Sequence, residues 1–83
     1  MHENLDDIAS RLEQAKDTHG LISGGLWVHK RSSKVYRVIG LGVEEEDHTI
    51  KVVYTLFDDT PHIVWVRPLE VFVERFKVFT GNP

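Results

Sequence analysis

The stretch from Val64 to Phe72, VWVRPLEVF, decides the fold, because its character changes halfway along. Val64, Trp65 and Val66 suit a pleated, half-buried strand. Pro68 has no backbone N–H and cannot continue a central ladder, so RPLEVF is expected to leave the strand as a single 3₁₀ or helical turn. Trp65 is expected to fill the core, with Leu69 and Phe72 closing it below the turn, as apolar residues flanking such a turn do. Arg67 has two readings: an internal salt bridge, or a planar two-pronged contact with a carboxylate or phosphate.

Working outward, RFKVF (75–79) reads as a last strand and HIVWV (62–66) as the one before the turn. DDTP ahead of it is a strong turn, and IKVVYTLF sets Ile50, Val52, Tyr54 and Leu56 on one face by simple alternation. EEEDHT is a polar loop or hairpin tip. KVYRVIGLGV is a longer strand in which Gly40 and Gly42 allow a bend or bulge. RSS is a turn and LWVHK the first strand. Five short strands with one tight turn before the last are the layout of a small SH3-like barrel, whose closure removes exposed edges. An OB-like barrel is second choice, since it needs a helix between the third and fourth strands and none fits inside DDTP.

The chain ahead of the sheet has a different period. In ENLDDIASRLEQAKDTHG, Leu5, Ile8, Leu12 and Ala15 recur at spacings of three and four and form one helical stripe. Asn4 is a fit N-cap, Asp6 and Asp7 suit the positive end of the helix dipole, and Gly20 is a natural stop. The organisation expected is an N-terminal amphipathic helix over 1–20, a flexible joint over 21–25 and a barrel over 26–80. The stripe is narrow. The helix therefore either lies against its own β domain or pairs through Leu5, Ile8 and Leu12 with a second copy as a homodimer.

Composition limits the chemistry. An 83-residue chain is one small domain, and 41% hydrophobic with 28% charged residues is the balance of a chain that folds. With no cysteine there is neither a disulfide framework nor a thiolate metal site. The start MHENLDD is acidic and lacks the apolar segment of a secretory signal, and no apolar run has membrane-spanning length, so a cytoplasmic location without membrane contact is expected. The formal charge of −3 resides in residues 1–19, where five acids meet two bases; the rest carries eight of each. Within that rest, Lys30, Arg31, Lys34 and Arg37 cluster with no acid between Leu26 and Val43, and Glu44 to Asp47 follow at once.

Several chemistries find no support. His29, His48 and His62 lack helical ligand spacing, so no metal or other cofactor is expected. Ser32 and Ser33 have no evident His and Asp partners, GLG is not a phosphate loop, and the core is too small for a deep desolvated pocket. The chain is not expected to be an enzyme.

Four blocks carry a family likeness: Trp27, His29 and Lys30; Tyr36, Arg37, Val38 and Gly40; Val52, Val53 and Tyr54; and Trp65, Val66, Arg67, Pro68, Leu69 and Phe72. Over residues 25–75 the chain resembles the bacterial family catalogued as domain of unknown function 1653. It departs from that pattern at RSS, which lacks the glycine often seen there, and at EEEDHT, where a His-Ser-Glu-Thr-like loop is usual. The resemblance implies a small β module and no particular chemistry.

The function expected is that of a non-catalytic binding module for a protein, a peptide or a small acidic ligand, acting through Trp27, Tyr36, Arg37, Tyr54, Trp65 and Arg67. One alternative is nucleic-acid binding through Lys30, Arg31, Lys34 and Arg37, interleaved with aromatic residues; the overall acidity counts against it. The other is a structural role in which the helix stripe pairs two chains.

Overall fold

The computed structural model describes residues 3–59 and 63–81. The chain opens with α1 (Leu5–His19), bounded as its caps dictate. The Asn4 side chain accepts a hydrogen bond from the Asp7 N–H at 2.8 Å, and Gly20 ends the helix at φ 67°, a left-handed conformation that glycine adopts without a Cβ clash.

The expected joint, residues 21–25, is bonded to the sheet. Leu21 is buried in the core. The Gly24 N–H donates to the Val38 carbonyl at 2.7 Å and the Val38 N–H to the Gly25 carbonyl at 2.8 Å. The Ser23 hydroxyl donates to the Ile39 carbonyl at 2.9 Å. Gly25 leaves room for this approach, since a Cβ there would come within 3.1 Å of the Ile22 carbonyl oxygen.

Five strands follow: β1 (Leu26–His29), β2 (Val35–Val43), β3 (Ile50–Leu56), β4 (Val64–Pro68) and, after the helix α2 (Leu69–Arg75), β5 (Phe76–Val78). All pairings are antiparallel, in the order β4-β3-β2-β1-β5. The fold is mainly β as expected, but the sheet is open, with β4 and β5 at its two edges and no ladder between them among the described residues. The expected bend in β2 is a bulge: Val38 pairs with Tyr54 and Gly40 with Val53, so Ile39 is the extra residue. The bulge resets the alternation, which lets Val38 and Leu41 both face the core. The turn expected at DDTP falls partly outside the described residues, as does His62.

The element after β4 is longer than the single turn expected. α2 has seven residues and carries Leu69, Phe72 and Val73 onto the core, continued by Phe76 at the start of β5. Pro68 is both the last residue of β4 and the residue before the helix. Both positions tolerate its missing N–H: β4 is an edge strand, and the first helical turn has no acceptor to offer. Phe72 and Phe76 stack at 4.2 Å and 9°, with Trp27 edge-on to Phe72 at 5.3 Å. Between them these rings fill the space that Trp65 was expected to occupy.

α1 is held through Arg11, in its second turn. Arg11 makes a two-pronged pair with Glu3, Nε to Oε2 at 2.6 Å and Nη2 to Oε1 at 2.7 Å, and Nη2 also donates to the His48 carbonyl at 2.6 Å in the β2–β3 turn. The imidazole Nδ1 of His48 lies 3.5 Å from Glu3. Of the helix stripe, Ala15 is buried, Ile8 and Leu12 are half-buried, and Leu5 is 82% exposed.

Two outcomes are expected. The Arg11 hydrogen bond, opposed by burial and reinforced by the Arg11 and His48 charges, holds the Glu3 carboxyl below the usual carboxylate range. A lowered folded-state value means that the stabilisation is present above the unfolded value and is lost as pH falls through the folded one. Titration of the Glu3 side-chain carbonyl by NMR should therefore show a depressed midpoint, which Arg11→Ala returns to the ordinary range. Separately, Thr55 is 9% exposed between Arg37 and Val64, and its hydroxyl has no hydrogen-bond partner among the described residues. Thr55→Val should raise urea stability by about 1 kcal/mol; a loss would show that the hydroxyl is satisfied in solution.

Candidate functional site

The strand registers bring a set of polar and aromatic side chains to one face. Tyr54 pairs with Trp65 and Val52 with Arg67, so Trp65 and Arg67, two residues apart, project to the side on which Val52 and Tyr54 are buried. Across β3, Tyr36 pairs with Leu56 and Val38 with Tyr54. On β1, Trp27 pairs with Tyr36, and His29 pairs with Phe76 of β5. The result is a groove of about 300 Å³. Tyr54 and Phe76 are buried at its base, Tyr36 is half-buried, and Trp65 stands at its open side. His29, Ser32 and Lys34, from β1 and the β1–β2 turn, line it as well.

Trp65 is 47% exposed, which corrects its assignment to the core. It sits on an edge strand, and the volume beneath is taken by Tyr54 against Phe72 at 5.1 Å and Phe76 at 5.3 Å. Phe72 is fully buried and Leu69 packs against the core, as expected. Trp27, expected at the binding surface, is 5% exposed within the core. Of the four rings expected to form a ligand surface, Tyr36, Tyr54 and Trp65 come together and Trp27 does not.

Arg67 is positioned by the fold. Its Nε donates to the Tyr54 hydroxyl at 2.9 Å, and its guanidinium carbon lies 5.9 Å from the centre of the Phe76 ring. The ion pairs among the described residues join Glu3 to Arg11, Glu13 to Lys16 and Glu3 to His48, so the internal salt bridge considered for Arg67 is not among them. With Nε occupied, both terminal nitrogens remain as donors to a planar anion. His29 accepts from the Arg31 and Ser32 backbone N–H groups through Nδ1, at 3.1 and 3.3 Å. Its neutral form therefore carries the proton on Nε2.

The basic cluster is divided. Lys30, Arg31 and Lys34 surround the β1–β2 turn, where Ser33 takes φ 64°. The Lys30 ammonium donates to the Glu74 carbonyl at 2.9 Å. Arg37 follows Tyr36 by one residue on β2 and so projects to the other face, with its guanidinium 5.2 Å from the Phe57 ring centre. It is thus on the opposite face from Arg67, on the side where Lys34 and Phe57 line a common groove. His29, Ser32 and Phe76 line the groove without having been among the residues expected to bind a ligand. The signal for His29 is the alternation in β1, which puts it on the same side as Trp27.

The family model described as Protein of unknown function (DUF1653) matches residues 25–81. The chain belongs to this family. Every groove residue of this DUF1653 domain falls inside the matched segment, whereas α1 precedes it. No curated protein and no solved structure matches the chain. Among the described residues, no helix is long and apolar enough to cross a membrane.

Tyr54→Phe should leave the buried ring in place and remove the acceptor of the Arg67 Nε–H. The expected loss is about 1 kcal/mol in urea denaturation, with faster solvent exchange of that N–H. Unchanged exchange would mean that another group holds Arg67.

Proposed function

We propose that the chain is a non-catalytic binding module whose groove takes a carboxylate-bearing ligand. The observation that carries this reading is Arg67, oriented by Tyr54 and outside every ion pair among the described residues, beside the open ring of Trp65 and the half-buried ring of Tyr36. A preorganised guanidinium loses little side-chain freedom on meeting an anion. Flanking rings supply contact area at the cost of only two side-chain torsions each. Lys34, lining the same groove, adds a second positive charge.

The arrangement favours binding over catalysis. Ser32 and His29 share the groove, but the Ser32 hydroxyl accepts from the Lys34 N–H at 3.3 Å, and His29 Nδ1 is engaged by two backbone donors. That leaves the pair without the nucleophile-to-base hydrogen bond that acyl transfer uses. The strand order, with β5 beside β1 and a helical element before β5, supports reading the scaffold as an SH3-like barrel left open between β4 and β5. Nucleic-acid binding is the weaker reading, because the chain carries a formal charge of −3 and the Lys30 ammonium already donates to the Glu74 carbonyl, so fewer phosphates would be neutralised together.

Phenylacetate, which joins a ring to a carboxylate, is the simplest probe. Titrated into the labelled chain, it should give saturable shifts at the Trp65 indole N–H and the Arg67 Nε–H, and Arg67→Gln should weaken its binding about tenfold. A flat titration at both signals overturns the reading. A parallel titration with a short single-stranded oligonucleotide that moved Lys30, Arg31 and Lys34 instead, and faded with salt, would shift the assignment to nucleic acid.

A further inference from the structure

The outer side of β4 is a row of backbone groups whose direction the ladders fix. The Phe57 N–H donates to the Val35 carbonyl at 2.9 Å, so Thr55 and Val53 aim their backbone groups at β2, and Tyr54 and Val52 aim theirs at β4. Tyr54 with Trp65 and Val52 with Arg67 are therefore the pairs that exchange hydrogen bonds between β3 and β4. Val64 and Val66 point their N–H and C=O groups the other way, out of the sheet. Pro68 falls in the same outward phase, where its missing N–H takes nothing from the ladder. Among the described residues, no backbone group meets Val64 or Val66 on that side.

Exposed sheet edges are usually blunted by shortness or by charge. β5, the opposite edge, has three residues with Lys77 at its centre. β4 is longer, and its Val64, Trp65 and Val66 are 55%, 47% and 58% exposed. Its outward row of alternating donors and acceptors is met by one kind of ligand, an extended polypeptide.

Charge says which polypeptide. The groove under this edge holds Arg67, Lys34 and His29 and is lined by no carboxylate. β4 itself, VWVRP, contains no acid, so a second copy paired through the same strand would bring none to Arg67. We propose that β4 takes an extended peptide as an added strand, with an acidic residue opposite Arg67 and a β-branched apolar residue directly after it, opposite Val66. The added strand runs antiparallel, as every ladder of this sheet does. Alternation then turns the acid to the inner face beside Arg67 and the apolar side chain to the outer face beside Val66. The backbone of that apolar residue bonds Val66, and that of the residue two further on bonds Val64. This rests on the carboxylate reading of the groove and adds to it the class of partner, its backbone conformation and the order of its residues.

The test titrates Ac-Thr-Glu-Val-Thr-Val-NH2 into the labelled whole chain, beside two variants that carry one N-methyl group each. Methylation of the first valine removes the N–H that faces Val66. Methylation of the second threonine removes one that faces away from β4. The parent peptide is expected to shift the Arg67 Nε–H together with the backbone N–H groups of Val64 and Val66. The methylvaline peptide should bind about tenfold more weakly than the parent, and the methylthreonine peptide within about twofold of it. Any other order of the three overturns strand addition, and a phenylacetate shift at Arg67 then leaves the carboxylate reading standing. Shifts at Val64 and Val66 that grow with protein concentration alone, with a dimer in sedimentation, overturn it in favour of a second copy. Silence at Arg67 with the parent peptide and with phenylacetate removes the carboxylate reading and this inference together.

Discussion

The stacking of Phe72 on Phe76 is the contact on which the remaining architecture depends. A five-stranded sheet that does not close needs something to cover its inner face, and here that cover is supplied from within the crossover between the two edges. α2 delivers Phe72, β5 delivers Phe76, and Trp27, Tyr36 and Tyr54 pack edge-on or tilted around them. Edge-to-face contacts of this kind are directional, so the rings specify positions as well as exclude water. In so small a core each of these side chains accounts for a large share of the buried apolar area.

The same packing creates the groove. With Phe72 and Phe76 filling the centre, Trp65 has no interior volume left and stays at the β4 edge. Arg67, next on the same face, spans the boundary between the buried Tyr54 hydroxyl and water. Its partner is a neutral phenol and not a carboxylate, so the guanidinium is oriented without being neutralised. That differs from Arg11, whose charge is matched by Glu3 and which serves to hold α1. Two arginines of one small chain thus have opposite electrostatic situations, one closed and one open.

Much of this was legible in the residues. Asn4 and Gly20 mark the ends of α1, the alternation of Val52 and Tyr54 gives the inner face of β3, and Gly40 of β2 flanks the bulge. The length of α2 was not legible. Leu69, Phe72, Val73 and Phe76 follow helical spacing, but Pro68 and the β-prone Val71, Val73 and Phe72 mask that pattern in a stretch of only seven residues. Trp65 was misplaced as well: a large apolar ring in a strand reads as core, but Phe72 and Phe76 take the interior and Trp65 stays exposed. Arg67 was singled out from sequence. Its bond to Tyr54 was not, because that contact depends on register across β3 and β4, which hydrophobic pattern alone does not specify to the residue. That Arg37 projects to the face opposite Tyr36 follows from strand alternation and was available in the sequence.

Leu21 carries a consequence for how the molecule opens. α1 buries little of its own surface, and an isolated helix of this length is marginal in water. Leu21, directly after the Gly20 cap, is anchored in the core. Fluctuations that melt α1 can therefore run as far as residue 20 without disturbing the sheet, whereas anything that frees Leu21 must open the core itself. Amide protection should accordingly step at this residue: lower along α1, and close to the global value for the N–H groups of Gly24 and Val38, which bond across the segment that Leu21 anchors.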